Sequence, residues 1–233
     1  MKNYLVIGSG KGIGLKSAEL LREQGNVYAV SRSISPELEA LGVNCIQMDV
    51  AKDSMDLLNA LPETLHGLVY CPGSINLKPF QRLSAQDFLS DFQQNVIGAV
   101  SVIQKVLPSL KKAGGSGVVL FSTVAVASGM PFHASIAASK GAVEGLAKSL
   151  AAELAASQIR VNVIAPSLTD TPLAGNLLNT PEKKEAAGKR HPLQRVGTPE
   201  DMAKLTCFLV GDESSWITGQ VIGVDGGLGN LRV

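Results

Sequence analysis

Seven short apolar runs recur along the chain, separated by stretches of a different period. The runs are YLVI (4–7), VYAV (27–30), CIQM (45–48), LVYC (68–71), VVLF (118–121), RVNVI (160–164) and QVIGV (220–224). They are nearly all apolar and bounded by turn residues, the pattern of strands buried on both faces. Between them apolar positions return at helical spacing. In GLKSAELLREQ (14–24), Leu15, Ala18, Leu20 and Leu21 fall on one stripe. SAQDFLSDFQQNVIGAVSVIQKVL (84–107) predicts one long helix, opened by Ser84 and Asp87 as a capping box. HASIAASKGAVEGL (133–146) leads into another, built of small residues and carrying Lys140. PEDMAKLTCFLV (199–210) begins with Pro199 in the first turn and two acids suited to the positive end of the helix dipole.

This alternation predicts an α/β fold: a three-layer, doubly wound parallel sheet of Rossmann type, with about seven strands and helices on both faces. No repeat, low-complexity tract or linker interrupts it, and 233 residues suit one domain spanning 1–233. The least patterned stretch, 167–197, is rich in Pro, Gly, Thr and charge and follows a strand. Ligands in open α/β sheets bind outside the carboxyl ends of strands, so this stretch is expected to be a substrate lid; the plain alternative is a surface excursion with a helix in it.

Composition narrows the partners. A net charge of +1 with interspersed signs offers neither the basic face that nucleic acid needs nor a membrane-surface patch. No apolar run approaches the roughly 18 residues of a membrane span, and the apolar part of MKNYLVIGSG is too short for a signal peptide. Cys45, Cys71 and Cys207 are an odd number at wide spacing, which makes neither a disulfide framework nor a paired metal-ligand motif. The expectation is a soluble cytoplasmic protein with a small-molecule substrate and no metal.

VIGSGKGIG (6–14) follows the first strand and opens the first helix. The fingerprint G-x-G-x-x-G does not fit, since its third glycine would fall on Ile13. G-x-x-x-G-x-G does fit, at Gly8, Gly12 and Gly14, with Ser9, Lys11 and Ile13 between them. Such glycines permit the tight turn, the approach of backbone to a pyrophosphate and close helix–sheet packing, and the helix start aims N–H groups at phosphate. A plain glycine-rich connection is the alternative. An NAD site places an acid at the end of the second strand. Here Ser31 and Arg32 stand there, and the next acid is Glu37. A guanidinium attracts the extra phosphate of NADP and can bind it bidentately, with Lys11 as a second cation, so NADP is favoured over NAD. Asp49, followed by Val50, closes the third strand and either accepts from the adenine amine or caps a helix.

Together these features resemble the short-chain dehydrogenase/reductase family, and the resemblance covers the whole chain. The glycine turn is similar to its TGxxxGxG, with Ile7 for Thr, and Asp49 matches its adenine contact. NVIG at Asn95, FSTVA (121–125), AASKGAVEGLAKSLAAEL (137–154) and VNVIAPSLTDTPL (161–173) resemble further motifs of the family. The end, from PLQRVG to VDGG, is similar to acyl-carrier-protein ketoreductases. The resemblance implies hydride transfer between a nicotinamide and a carbonyl or alcohol. It implies that Lys140 holds the nicotinamide ribose, that Asn95 supports a water-linked proton path and that Thr171 bonds the carboxamide. Thr123 takes the position of the family's substrate-holding serine, with Ser122 adjacent. Gly73 and Pro166 are what remain of the family's NNAG and PG turns, here YCPG and Pro166–Ser167. A homodimer or homotetramer built on a four-helix bundle is also implied, with VDGGLGNLRV (224–233) meeting a symmetry mate.

The departure is at Ile136, where the family carries its acid/base tyrosine four residues before the lysine. The chain's tyrosines, Tyr4, Tyr28 and Tyr70, all fall on predicted strands. A positioned acid/base is typically worth about 10²–10⁴-fold in rate, and isoleucine has no proton to give. Three readings follow. Another proton source serves, such as His133, about two helical turns before Lys140, or a lysine-bound water relayed through Asn95. Or the protein binds NADP without catalysis, as a sensor or as the partner subunit of an active relative. Or Ile136 extends a pocket for an activated double bond that takes its proton from water. The reading carried forward is an NADP-dependent oxidoreductase with an atypical site, and the non-catalytic binder is its rival.

Overall fold

Every predicted apolar run is a strand. The computed structural model describes residues 1–231, so Arg232 and Val233 of the C-terminal segment lie outside the described residues. The strands are β1 (Lys2–Ile7), β2 (Gly25–Ser31), β3 (Asn44–Gln47), β4 (Gly67–Tyr70), β5 (Ser116–Phe121), β6 (Ile159–Pro166) and β7 (Val221–Val224). They form one sheet in the order β3-β2-β1-β4-β5-β6-β7, with every pairing parallel. The order reverses between β1 and β4, so the crevice for a ligand opens at the carboxyl ends of those two strands.

Alternate residues of each strand enter different cores, as the two-residue period of a pleated strand requires. Leu5, Ile7, Leu68, Tyr70, Val118 and Leu120 pack on one face. Tyr4, Val6, Val27, Ala29, Val69 and Val119 pack on the other. The helices in chain order are α1 (Gly12–Leu21), α2 (Pro36–Glu39), α3 (Ala85–Phe92), α4 (Gly98–Lys112), α5 (Ala125–Ser128), α6 (Ala134–Leu154), α7 (Pro181–Lys189) and α8 (Pro199–Val210). Helices α4 and α6 cover the first face, through Val102, Ile103 and Val106 and through Val143, Ala147 and Leu154. Helices α1 and α8 cover the second, through Ala18 and Leu21 and through Met202, Leu209 and Val210. None of these helices is long and apolar enough to cross a membrane.

Two expected boundaries move. The first helix starts inside the glycine turn, at Gly12, and stops at Leu21, where the Gln24 N–H bonds back to the Leu21 carbonyl and the chain turns into β2. The expected continuous helix over 84–107 is interrupted by a π-turn at Gln93–Ile97. Its ladder is broken by side chains. Asn95 Nδ2 donates to the Asp91 carbonyl (2.8 Å), and the buried Tyr70 hydroxyl donates to the Gln94 carbonyl (2.7 Å). The capping boxes at Ser84/Asp87 and Thr198/Asp201 are both formed. The stretch 167–197 holds a 3-10 turn at Pro172–Leu177 capped by Thr171, then α7. Arg195 grips Asp201 through both guanidinium nitrogens and ties the end of this stretch to α8.

Candidate active site

The glycine turn lies between the ends of β2 and β4. Gly8 has φ +81°, a conformation that glycine adopts without a Cβ penalty. A methyl at Gly14 would be driven into the Gly8 carbonyl, so α1 could not start so close to the turn with any side chain there. The Ser9 hydroxyl is turned inward and donates to the Val30 carbonyl (3.1 Å). Ser31 likewise donates to the Ser33 carbonyl (2.6 Å) and shapes the loop beside Gly10. Lys11 and Arg32 are exposed, and neither has an ion-pair partner among the described residues. Asp49 Oδ1 accepts from the Ala51 N–H (3.1 Å), which caps the turn after β3, and Val50 packs against the core edge. Gly12 faces Thr171, whose Cβ would stand 3.4 Å from a methyl on the glycine.

A cavity of about 490 Å³ opens beyond this turn. Ile13, Gly73, Ser122, Thr123, Ile136, Lys140, Pro166 and Thr171 all line it, so residues from both halves of the sequence meet there. Asn95 stands behind Gly73. A methyl on Gly73 would lie 3.6 Å from Asn95 Oδ1 and 3.6 Å from Lys140 Nζ, so the bare glycine leaves a cradle between the two. Asn95 Oδ1 is buried and has no hydrogen-bond partner, whereas its Nδ2 is held by the Asp91 carbonyl and by Ser139 Oγ (3.1 Å). Lys140 is 7% exposed, and its Nζ donates to the Phe121 carbonyl (2.8 Å). Burial pushes the lysine down to about 8, while Cys71 and Asp91 act in the other direction. Burial likewise pushes the Cys71 thiol up to about 12.

The hydroxyls divide. Ser122 Oγ is committed to Glu144 Oε1 in α6 (2.5 Å) and is turned away from chemistry in the cavity. Thr123 Oγ1 accepts from the Ala125 N–H (3.3 Å), and its O–H is uncommitted among the described residues. Ile136 is 5% exposed and presents hydrocarbon to the cavity. None of the three tyrosines lines the cavity. His133 does line it, with Nδ1 2.7 Å from its own Pro131 carbonyl at the mouth of α6.

Sequence reasoning missed three groups. Asp91 is 3% exposed and accepts from Ser74 Oγ and Ser135 Oγ, each at 2.5 Å. It lies beside Asn95, whose Nδ2 donates to the Asp91 carbonyl, and nothing in the helical spacing marks this acid as buried. Ser167 and His191 meet on the cavity wall at 2.8 Å. The Ser167 position was visible as a change from the family's glycine, but nothing in the sequence aimed His191 at it.

Comparison with known proteins places the chain. A family model described as Enoyl-(Acyl carrier protein) reductase matches residues 7–229. A solved short-chain type dehydrogenase/reductase from Mycobacterium ulcerans is 30% identical, with a TM-score of 0.88 over 99% of this chain and 90% of its own. The chain belongs to the short-chain dehydrogenase/reductase family. Within that family, 3-oxoacyl-(acyl-carrier-protein) reductase FabG of Thermotoga maritima is 35% identical over 97% of both chains. ElxO, solved with NADP bound, is 27% identical with a TM-score of 0.88 over 97% of this chain and 98% of its own. The TM-scores show that the overall fold is shared with these solved structures.

Proposed function

We propose that this protein is an NADP-dependent oxidoreductase acting on a carbonyl, its alcohol or an activated double bond, with an active site that works without the family's tyrosine. The observation that carries this reading is the cradle at Gly73. A buried ammonium and an unpartnered buried amide oxygen face the same small space on the wall of a cavity. Leaving such an oxygen unpaired costs about 1–3 kcal/mol, so the site calls for a donor from outside the chain, a water or a group of the ligand. The residues fit a nicotinamide dinucleotide. The glycine turn offers α1's N–H groups to the pyrophosphate, Lys140 the ribose, and Thr171 and Pro166 the nicotinamide end. Arg32 and Lys11 supply uncommitted positive charge where NADP carries its extra phosphate, and ElxO is a relative with that cofactor bound. When bound, the nicotinamide supplies the hydride donor or acceptor. The chain's residues orient it and the substrate, exclude water and handle the proton. Residues 167–197 close one side of the cavity through Leu173, Ala174, Leu177 and Ala187, which supports their role as a lid. The body of the bound substrate is apolar, given Ile75, Leu77, Met130 and Leu228 on the remaining wall.

The rival reading, a non-catalytic NADP-binding sensor or partner subunit, draws on Ile136 and on the same retained Lys140, Asn95, Arg32 and glycines, which bind cofactor without needing the tyrosine. Fluorescence titration with NADPH and NADH, followed by NADPH turnover with acetoacetyl-coenzyme A, diacetyl and cyclohexenone, separates them. NADPH is expected to bind more tightly than NADH, and Arg32→Ala to weaken NADPH by about 10–100-fold, the worth of a charged hydrogen bond. An NADH preference that survives Arg32→Ala overturns the cofactor choice. NADPH binding without turnover of any probe decides for the rival. Exposed Leu89, Phe92 and Ile97 along α3 and the π-turn support a homodimer or homotetramer, which sedimentation would register.

A further inference from the structure

We propose that Ser167, polarised by His191, exchanges the proton with the substrate oxygen that Ile136 cannot. This rests on the oxidoreductase reading above and names the acid/base of that site.

The geometry fixes which nitrogen of the neutral ring carries the proton. His191 is 2% exposed and sits just past the end of α7. Its Nδ1 lies 2.9 Å from the Ala187 carbonyl, which can only accept, so Nδ1 carries the proton. In the neutral ring Nε2 is then the acceptor, and it lies 2.8 Å from Ser167 Oγ. The Ser167 O–H therefore points at the imidazole, and its oxygen lone pairs are left for the cavity that both residues line. A hydroxyl with its proton drawn into a ring nitrogen is a better proton acceptor than a free one, which is the logic of any serine held by a histidine. Ser167 follows Pro166 directly at the carboxyl end of β6, the nicotinamide end of the site.

In alcohol oxidation the substrate O–H bond breaks and its proton passes to Ser167 Oγ, as the serine's own proton passes to His191 Nε2. The electron pair of that O–H bond becomes the second bond of the carbonyl, and the carbinol hydride leaves to NADP. In reduction the imidazolium Nε2–H returns its proton to Ser167 Oγ, and the serine proton goes to the new alkoxide. For each net oxidation the proton on His191 Nε2 leaves to water through the cavity that both residues line, and for each net reduction one enters by the same route, so His191 returns to its starting state. Ser167 is the catalytic residue here, and His191 is a positioning residue acting through it. His133 is a poorer source, because its ring holds no hydroxyl among the described residues, whereas His191 holds Ser167.

Two measurements on the full-length protein test this. The first needs no turnover. In ¹⁵N-labelled protein without cofactor, His191 is expected to show a protonated Nδ1 and a bare Nε2, and Ser167→Ala is expected to move the Nε2 resonance. The opposite neutral tautomer, with Nδ1 bare and Nε2 protonated, overturns the relay. The second uses the probe of the three with the fastest NADPH turnover. Ser167→Ala is expected to lower kcat by about 10²–10⁴-fold, the worth of a positioned acid/base, with the NADPH dissociation constant unchanged. Ser167→Thr keeps the hydroxyl and retains most of the rate. His191→Gln costs as much as Ser167→Ala, and the double variant no more than either, because the pair acts as a unit. Turnover that Ser167→Ala leaves within about threefold of wild type overturns the relay alone. Absence of NADPH binding, or binding without turnover, overturns the oxidoreductase reading and the relay with it.

Discussion

Ile136 and Lys140 lie one helical turn apart on α6 and pull the site in opposite directions. The lysine is a buried cation, retained although burial disfavours its charge. Its folded proton affinity, at about 8, lies below the ordinary 10.5. Between those two values the unfolded chain holds one more proton than the folded chain, so stability rises with pH across that window. Below it both states are charged and the full cost of burial is present, on the order of 3 kcal/mol. Lys140→Met is therefore expected to be more stable than wild type at pH 7, with the gap closing by pH 10.5. Urea midpoints across that range measure it, and a gap that does not change with pH would sink the argument. The isoleucine is the converse, an apolar residue at the position that the sequence resemblance assigns to a phenol. In the Ser167→Ala background, Ile136→Tyr is expected to restore about 10²-fold or more of the lost turnover, since it supplies a second positioned acid to the same cavity. A double variant as slow as Ser167→Ala would show that the substrate oxygen does not lie within reach of position 136.

At the scale of elements, what was legible in the sequence is what local chemistry decides. The Ser84/Asp87 box forms because a hydroxyl and a carboxylate three residues apart satisfy the same helix end wherever they occur. Pro199 and its two following acids start α8 for the same reason. The π-turn was not legible, because its causes are tertiary: a hydroxyl from β4 and an amide that turns back on its own helix. Such turns gather at functional sites, and this one aims Asn95 at the Gly73 cradle and places Asp91 behind it. Asp91 holds Ser74 and Ser135 and supports the charge on Lys140 from within the protein. Asp91→Asn keeps the shape but removes that charge, so the lysine is expected to fall below its present value of about 8. NADPH affinity should then weaken at a lower pH than in wild type. Titration by fluorescence from pH 6 to 9 checks the direction, and an unmoved profile would show that Lys140 does not depend on Asp91.

For the whole molecule, the sheet could be read from the chain because strands buried on both faces leave continuous apolar runs, and parallel connections require the helices between them. The cavity could not. Its wall is assembled from residues around 73–77, 121–124, 130–140, 166–177 and 183–191, and no periodicity states which of these meet. The glycine turn and Lys140 were visible because their spacing is fixed within one element, whereas Ser167 and His191 are joined only by the fold. That assembly also sets the substrate. Ile75 and Leu77 come from the loop after β4, Met130 from the approach to α6, and Leu173 and Leu177 from the stretch 167–197, and together they supply hydrocarbon to the cavity wall. Each methylene moved from water to such a wall is worth about 0.8 kcal/mol, or about fourfold in kcat/KM. In a series of straight-chain 2-alkanones, kcat/KM for NADPH-dependent reduction is expected to climb by that factor per carbon and then level off as the cavity of about 490 Å³ fills. Leu177→Asn should flatten the climb through KM with kcat unchanged, because the residue touches the chain and not the reacting carbon. A series with no dependence on length would mean that the lid stretch leaves the substrate in water, and that the apolar wall serves packing alone.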